Sequence, residues 1–346
     1  MNLAVGRAAT PVSFRGADAT VGCGADESIL LAGLRAGLGL RYECASGGCG
    51  TCRAQLLDGS VASRWEAASG LTDRDRRKGD RILMCQSVPR GPVTIRAPLS
   101  AGPQPEPAPQ RLAGRIVTRD RLAAGIALFV VEVAQPLRYL PGQFVLLELP
   151  DGTRRGYSMS RPADPGGATL LELLIRAKPG GAASAWLFER LGPGDSLVAE
   201  GPYGKAYART PPERPVACLA GGTGLAPVLA IAEHLSTAAP DRRLDVYVGA
   251  RRSEDLVLGE RLQALTGFLG ARVIAVVEQG AGAMHPQLGR LRAGLALDHL
   301  AAELPDLSRH DVYAAGPEPM IDATLRRLVS GGTAAADRVF FDRFIS

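Results

Sequence analysis

Four cysteines set the first constraint on this chain. Cys44-Ala-Ser-Gly-Gly-Cys49-Gly-Thr-Cys52 has the spacing C-x4-C-x2-C, and a fourth candidate ligand, Cys85, follows at a distance. A loop this rich in glycine can wrap a polynuclear centre and aim backbone N–H groups at its sulfurs. Thiolates are soft ligands, and this spacing is that of a plant-type [2Fe–2S] site. A structural zinc is the other reading of four cysteines, although zinc favours paired C-x2-C units over one dense loop and a distant fourth ligand. Six cysteines in 346 residues suit a metal site in a cytosolic chain better than a disulfide framework. Cys23 and Cys218 fall outside the pattern, and Cys218 sits in an apolar run where it reads as a small core residue.

Length and punctuation divide the rest. The segment 101–110, AGPQPEPAPQ, holds four prolines and no large apolar residue, so it reads as a stiff linker without a core. It separates a first domain, 1–100, from a longer remainder. Residues 111–210 read as short strands at 115–117, 126–133, 144–149, 170–175 and 196–199, with Asp-Gly at 151–152 and Gly-Gly at 166–167 between them. Such spacing suggests a small antiparallel barrel. From 211 to 346 the texture changes to apolar strands at 216–220, 244–248, 273–277 and 312–315, alternating with helical patterns such as 228–235. Alternation of this kind means a parallel sheet with crossovers.

The barrel segment carries Arg155-Gly-Tyr157-Ser158, with Arg154 beside it. A flavin needs a cation at its phosphate, a flat apolar ring against the isoalloxazine and a hydrogen bond at N5, and R-x-Y-S supplies all three. Pro141-Gly-Gln-Phe144 precedes it. Gly180, Gly181 and Ser184 follow the strand ending at Arg176 and open an expected helix over 182–191, a ready anion site. Gly201-Pro-Tyr-Gly204 closes the segment. In the last domain Gly221-Gly222-Thr223-Gly224-Leu-Ala-Pro227 lies between a buried strand and a helix, where glycines admit a pyrophosphate to unpaired N–H groups.

The segments YECASGGCGTC, LLDGSV and LMCQS resemble the ferredoxin domain of bacterial oxygenase reductases over nearly all of residues 12–97. From Arg111 onward the ordered motifs resemble the ferredoxin–NADP reductase superfamily. The resemblance implies a β-grasp [2Fe–2S] domain, an antiparallel Greek-key FAD barrel and a parallel-sheet α/β NAD-binding domain. It assigns Cys44, Cys49, Cys52 and Cys85 to the cluster, Arg155 to the flavin phosphate, Tyr157 to ring packing and Ser158 to N5. Arg176, Gly180, Gly181 and Ser184 join the flavin set, and an N-terminal ferredoxin domain implies FAD rather than FMN. Gly316 and Pro317 resemble the family's Cys-Gly-Pro signature, with Ala315 in place of the cysteine near the point of hydride transfer. Phe344, in the tail FFDRF, is the aromatic expected beside the flavin or else a core residue, and Asp342 is a candidate to support protonation there. Glu278, where NADPH users present a Ser-Arg pair, would repel a 2′-phosphate, so NADH is expected. Arg251-Arg252 argues the other way, because an arginine there can accept that phosphate.

The function implied is an electron-transfer reductase that oxidises NADH through FAD and passes single electrons through the cluster. The partner expected is a terminal oxygenase or hydroxylase component, or an intermediary ferredoxin. YECASGGCG, the Trp65 segment and the FDRF tail look most like reductases of di-iron monooxygenases acting on toluene and similar hydrocarbons. Reductases of Rieske-type ring-hydroxylating dioxygenases, and a deoxysugar-pathway reductase, share the plan. A zinc-binding module with a vestigial barrel is the rival from another class. The four histidines form no H-E-x-x-H, Rieske or E-x-x-H pattern and read as surface or packing residues.

A net charge of +5 falls short of a nucleic-acid footprint, and no run is long and apolar enough for a membrane helix. No signal peptide is expected, and the chain should be a cytoplasmic monomer. Residues 1–100 carry 13 Lys and Arg against 9 Asp and Glu, unlike the acidic plant ferredoxins. The basic run Arg74-Asp-Arg-Arg-Lys78 reads first as a solvated face, with docking to an acidic partner as the alternative.

Overall fold

The computed structural model describes residues 9–100, 107–209, 214–280 and 282–345. Two compact units emerge, one within residues 1–110 and the other spanning 111–344. Residues 101–106, the proline-rich heart of the expected linker, lie outside the described residues.

In the first unit β1 (Thr10–Arg15) and β2 (Ala19–Cys23) form a hairpin. Helix α1 (Ile29–Arg35) follows, its first turn capped by Ser28, whose Oγ accepts the Leu31 N–H at 3.2 Å. Then come β3 (Arg53–Asp58), β4 (Val61–Ser63), α2 (Asp73–Lys78), β5 (Arg81–Leu83), β6 (Ser87–Pro89) and β7 (Val93–Arg96). The main sheet runs β2-β1-β7-β3-β5, with β1 and β7 parallel and the other neighbours antiparallel. Ile29, Leu30, Leu31 and Leu34 of α1 are buried, as are Val12, Phe14 and Ile95 of the sheet. A helix closing a mixed sheet in this way is the β-grasp.

The second unit opens with a long hairpin, β8 (Gln110–Ala123) and β9 (Ile126–Leu137). The apolar pattern predicts strand only over 115–117 and 126–133 of this hairpin. The outer half of β8, Thr118-Arg-Asp-Arg-Leu-Ala, is largely exposed and has no apolar alternation to betray it. Pairing to β9 holds it extended. β10 (Phe144–Glu148), β11 (Arg154–Ser158), β12 (Ala168–Arg176) and β13 (Ser196–Tyr203) complete an antiparallel sheet ordered β11-β10-β13-β8-β9-β12. A bridge between Met159 and Leu173 links the two ends and closes the barrel. Helix α3 (Ala182–Ala185) runs on as a π-turn over Trp186–Arg190, so the helix expected at 182–191 changes its winding part-way.

The last sheet comprises β14 (Val216–Gly221), β15 (Leu244–Ala250), β16 (Ala271–Val277), β19 (Arg292–Ala293), β20 (Asp311–Pro317) and β21 (Val339–Phe344), with a small hairpin of β17 (Met284–His285) and β18 (Gly289–Arg290) before β19. Its order is β19-β16-β15-β14-β20-β21, all parallel. Helices α4 (Leu225–Ala238), α5 (Gly259–Leu265), α6 (Ala296–Glu303) and α7 (Glu318–Thr324) make the crossovers. Strand order reverses between β14 and β20, and ligands of open parallel sheets bind beyond the strand ends at such a switch point. No helix among the described residues is long and apolar enough to cross a membrane.

Candidate functional site

The cluster loop lies between Tyr42 and β3. Ala45, Gly47 and Gly50 take positive φ (51°, 97° and 75°), which coils the backbone tightly. At Gly50 a side chain is also excluded by space, since a Cβ would stand 2.7 Å from the Gly70 carbonyl oxygen. Coiling turns amides onto sulfur: Cys49 N–H donates to Cys44 Sγ and Thr51 N–H to Cys49 Sγ, both at 3.4 Å. The thiols fall into two pairs. Cys52 and Cys85 Sγ stand 3.3 Å apart, and Cys44 and Cys49 are hydrogen-bonded to each other. Two pairs, Cys44 with Cys49 and Cys52 with Cys85, would hold a two-iron centre better than one tetrahedral zinc. The hydrogen bond with Cys52, then burial, push the Cys85 thiol up, and a bound metal would favour its thiolate instead.

In the barrel, β11 presents alternate residues to opposite faces. Arg154 and Ser158 are buried, whereas Arg155 and Tyr157, on the other face, are partly open. Burial pushes the Tyr157 phenol up, partly opposed by Arg155, so the ring is neutral and fit to pack against an aromatic system. Phe144 pairs with Ser158 on one side and Tyr203 on the other, and the Phe144 and Tyr203 rings lie 5.9 Å apart. Gln143 joins Pro141-Gly-Gln-Phe to Gly201-Pro-Tyr-Gly: its Oε1 accepts Leu140 N–H at 2.8 Å and its Nε2 donates to the Gly204 carbonyl at 3.4 Å. Ser184 Oγ accepts the Lys178 N–H at 2.6 Å, which folds the Gly180-Gly181 turn back onto the helix start. Arg176, at the end of β12, pairs with Asp255 at 3.2 Å.

The nucleotide sheet brings its motifs to the same place. Gly222–Gly224 forms a short 3-10 turn into α4, and no side chain caps this helix start, so its first N–H groups are left for a ligand. Gly224 packs directly on β20, where a Cβ would stand 2.0 Å from the Ala315 carbonyl oxygen. Ala315 is paired with Ala220 on one side and Asp342 on the other. Asp342 then reaches the barrel, accepting the Ser158 hydroxyl at 3.0 Å. Ser158, Ala315 and Asp342, separated by up to 184 residues, thus meet where the barrel touches the switch point. Gly316 and Pro317 continue β20, and Phe344 pairs with Pro317 at its end. Glu278 is exposed just beyond β16, and Arg252 Nε donates to the neighbouring Gln279 Oε1 at 3.1 Å. The two opposed coenzyme signals therefore lie side by side.

Comparison with known proteins matches all three parts. The 2Fe-2S iron-sulfur cluster binding domain family covers residues 12–90, the oxidoreductase FAD-binding domain family 113–207 and the oxidoreductase NAD-binding domain family 218–326. The ferredoxin–NAD(+) reductase component of the alkene monooxygenase system of Xanthobacter autotrophicus is 44% identical over 327 residues, 93% of this chain and 97% of that one. The chain belongs to the reductase components of multicomponent oxygenases. The propane 2-monooxygenase reductase of Mycolicibacterium goodii is 30% identical over 97% of both chains. Among solved structures, the ferredoxin reductase in carbazole 1,9a-dioxygenase superposes with a TM-score of 0.85 at 31% identity, covering 97% of this reductase and 98% of that chain. The reductase is a ferredoxin–NAD(+) reductase-type oxidoreductase with a [2Fe–2S] cluster, FAD and an NAD-binding domain.

The ionic networks behind this site join residues far apart in the sequence. Arg154 is only 5% exposed and pairs with Glu200, itself 1% exposed, and with Glu148 at 3.3 Å, while Arg111 grips Glu148 with two hydrogen bonds. Strand periodicity would have separated Arg154 from Arg155, since only one of two adjacent arginines can face the core. Arg209 lies 3.5 Å from the Phe340 ring, and Phe340 packs on Tyr313, a cluster with no local sequence signature.

Proposed function

We propose that this reductase oxidises NADH and delivers electrons singly to the hydroxylase component of a hydrocarbon monooxygenase. The convergence of Ser158, Asp342 and Ala315 at the switch point carries the reading. When bound, FAD supplies a hydride acceptor that can pass its electrons one at a time to a one-electron cluster. The protein's part is placement. The glycine loop 221–224 and the open start of α4 would hold the dinucleotide pyrophosphate, and Ala315 leaves room for a nicotinamide. Arg155, with Gly180, Gly181 and Ser184, would hold the flavin phosphates, and Tyr157 would pack on its ring. The Ser158 hydroxyl gives its one proton to Asp342, which leaves its oxygen free to accept from N5–H of a reduced flavin, and turning that proton from Asp342 would let it donate to N5 of an oxidised one. Arg176 would add positive charge near the phosphates, and Phe344 would border the ring.

Glu278 supports NADH, because Arg252 is engaged by Gln279 and an exposed carboxylate beside it disfavours a 2′-phosphate. Identity of 44% to an alkene monooxygenase reductase supports a monooxygenase partner. The exposed arginines Arg74 and Arg77 of α2 support a partner with an acidic docking face, the charge plant ferredoxins themselves carry.

An anaerobic visible spectrum before and after one equivalent of NADH tests the reading. Bleaching of both flavin and cluster bands is expected, and NADPH should act far more slowly. A colourless zinc protein, or bleaching by NADPH alone, would reject the cofactor route or the reading of Glu278. Reduction of a Rieske ferredoxin in preference to a di-iron hydroxylase would move the reductase to the dioxygenase systems.

A further inference from the structure

Hydride transfer demands that two domains, each carrying one cofactor, be held in register to a fraction of an ångström. Among the side chains that cross between them, one arginine grips both at several points. Arg261, on α5 of the nucleotide domain, is 13% exposed and uses its whole guanidinium. Nε and Nη2 donate to the two carboxylate oxygens of Glu233, at 2.7 and 2.8 Å. Glu233 lies on α4, the helix that springs from the glycine loop. Nη1 donates to Glu172 Oε1 on β12 of the barrel at 2.7 Å, and Nη2 donates to the Ser160 carbonyl at 2.5 Å. Ser160 lies two residues beyond Ser158. Its hydroxyl donates to Glu172 Oε1 at 2.5 Å, and its N–H donates to the Glu172 carbonyl at 2.9 Å.

We infer that Arg261 is the positioning residue that sets the nicotinamide against the flavin. The fork connects the end of the flavin strand, just past Ser158, to the helix that begins at the pyrophosphate loop. Any slide or tilt of one domain against the other must break charge-assisted hydrogen bonds, leaving Glu233 partly buried without this cation and Glu172 with only the exposed Arg161, at 3.1 Å. The second crossing ion pair, Arg176–Asp255, has its arginine 41% exposed and makes one contact, so it constrains the interface less. A lysine at 261 keeps the charge but cannot reproduce a planar fork to four oxygens on three residues.

This inference rests on hydride crossing at Ser158, so NADH bleaching of the wild-type protein is the control for that reading. The test compares wild type with Arg261→Lys and Glu233→Gln, all as holoprotein. NADH-driven flavin reduction should slow by about 10- to 100-fold, with FAD content and NADH affinity kept. Hydrogen exchange at residues 159–161 should rise at the same time. Exchange reads the clasp without turnover, so the clasp is tested even if NADH fails to bleach the wild type. Loss of FAD or of melting temperature, with an unchanged reduction rate per bound flavin, would make Arg261 merely structural and overturn the inference. Unchanged rates and exchange in both variants would overturn it as well.

Discussion

Ser158 shows how much one hydroxyl can depend on a distant residue. Its position after Arg155-x-Tyr157 marked it in the sequence, but its partner, Asp342, lies near the other end of the chain. The hydrogen bond at 3.0 Å fixes the rotamer of a side chain only 5% exposed. Ser158→Ala should lower the rate of flavin reduction by roughly 10-fold, the effect of one charge-assisted hydrogen bond. Stopped-flow absorbance with NADH would measure it, and an unchanged rate would remove Ser158 from the reacting site. The Ala315 carbonyl, by contrast, lies so close to Gly224 that only glycine fits opposite.

Among the elements, α2 is the one whose reading the fold changes. Alone, Asp-Arg-Asp-Arg-Arg-Lys is a solvated turn of helix, with Thr72 and Asp75 forming a capping box at its start and Gly79 ending it. In the structure it is tied to the cluster loop. Arg76 donates to the carbonyls of Glu66 and Ala68, Gly70 N–H donates to the Gly47 carbonyl at 2.9 Å, and Arg53 pairs with Asp75 at 2.9 Å. Arg74 and Arg77 remain exposed, with no carboxylate partner among the described residues. Reversing both, Arg74→Glu with Arg77→Glu, should slow electron delivery to an acidic partner about 10-fold at low salt and flatten its salt dependence. NADH-driven bleaching of the reductase itself should stay as in wild type. Rates of partner reduction that do not respond to salt or to the reversal would discard the docking role.

At the scale of the molecule, the iron–sulfur domain family matches within one unit, and the FAD-binding and NAD-binding families match within the other. Each unit has its own core, so loss of one cofactor should not abolish the other's reaction. Cys85→Ser removes a buried ligand of the cluster site, and the cluster bands should be lost. NADH reduction of the flavin should continue within about two-fold, because Ser158, Asp342 and Arg261 are untouched. Melting followed by hydrogen exchange should show residues 9–100 destabilised alone, since metal binding is part of that unit's folding free energy. Flavin reduction lost together with the cluster would contradict this independence.

Local chemistry wrote the cofactors into the sequence. Glycine and cysteine at fixed spacings, R-x-Y-S, and a glycine turn between a strand and a helix each work through a few consecutive residues, so they were legible without a fold. Strand alternation and the change from antiparallel to crossover texture likewise gave the fold class, because periodicity is a local property. The polar outer half of β8 was not legible, since its extension comes from pairing rather than from its own side chains. Nor were Ser158 with Asp342, Arg154 with Glu200, or Arg261 with Glu172 and Glu233. These contacts join residues far apart along the chain, and an ion pair has no periodicity to reveal it. Only the tertiary structure decides which carboxylate an arginine meets, because burial makes an unpaired charge costly and the fold alone determines which charges are buried together.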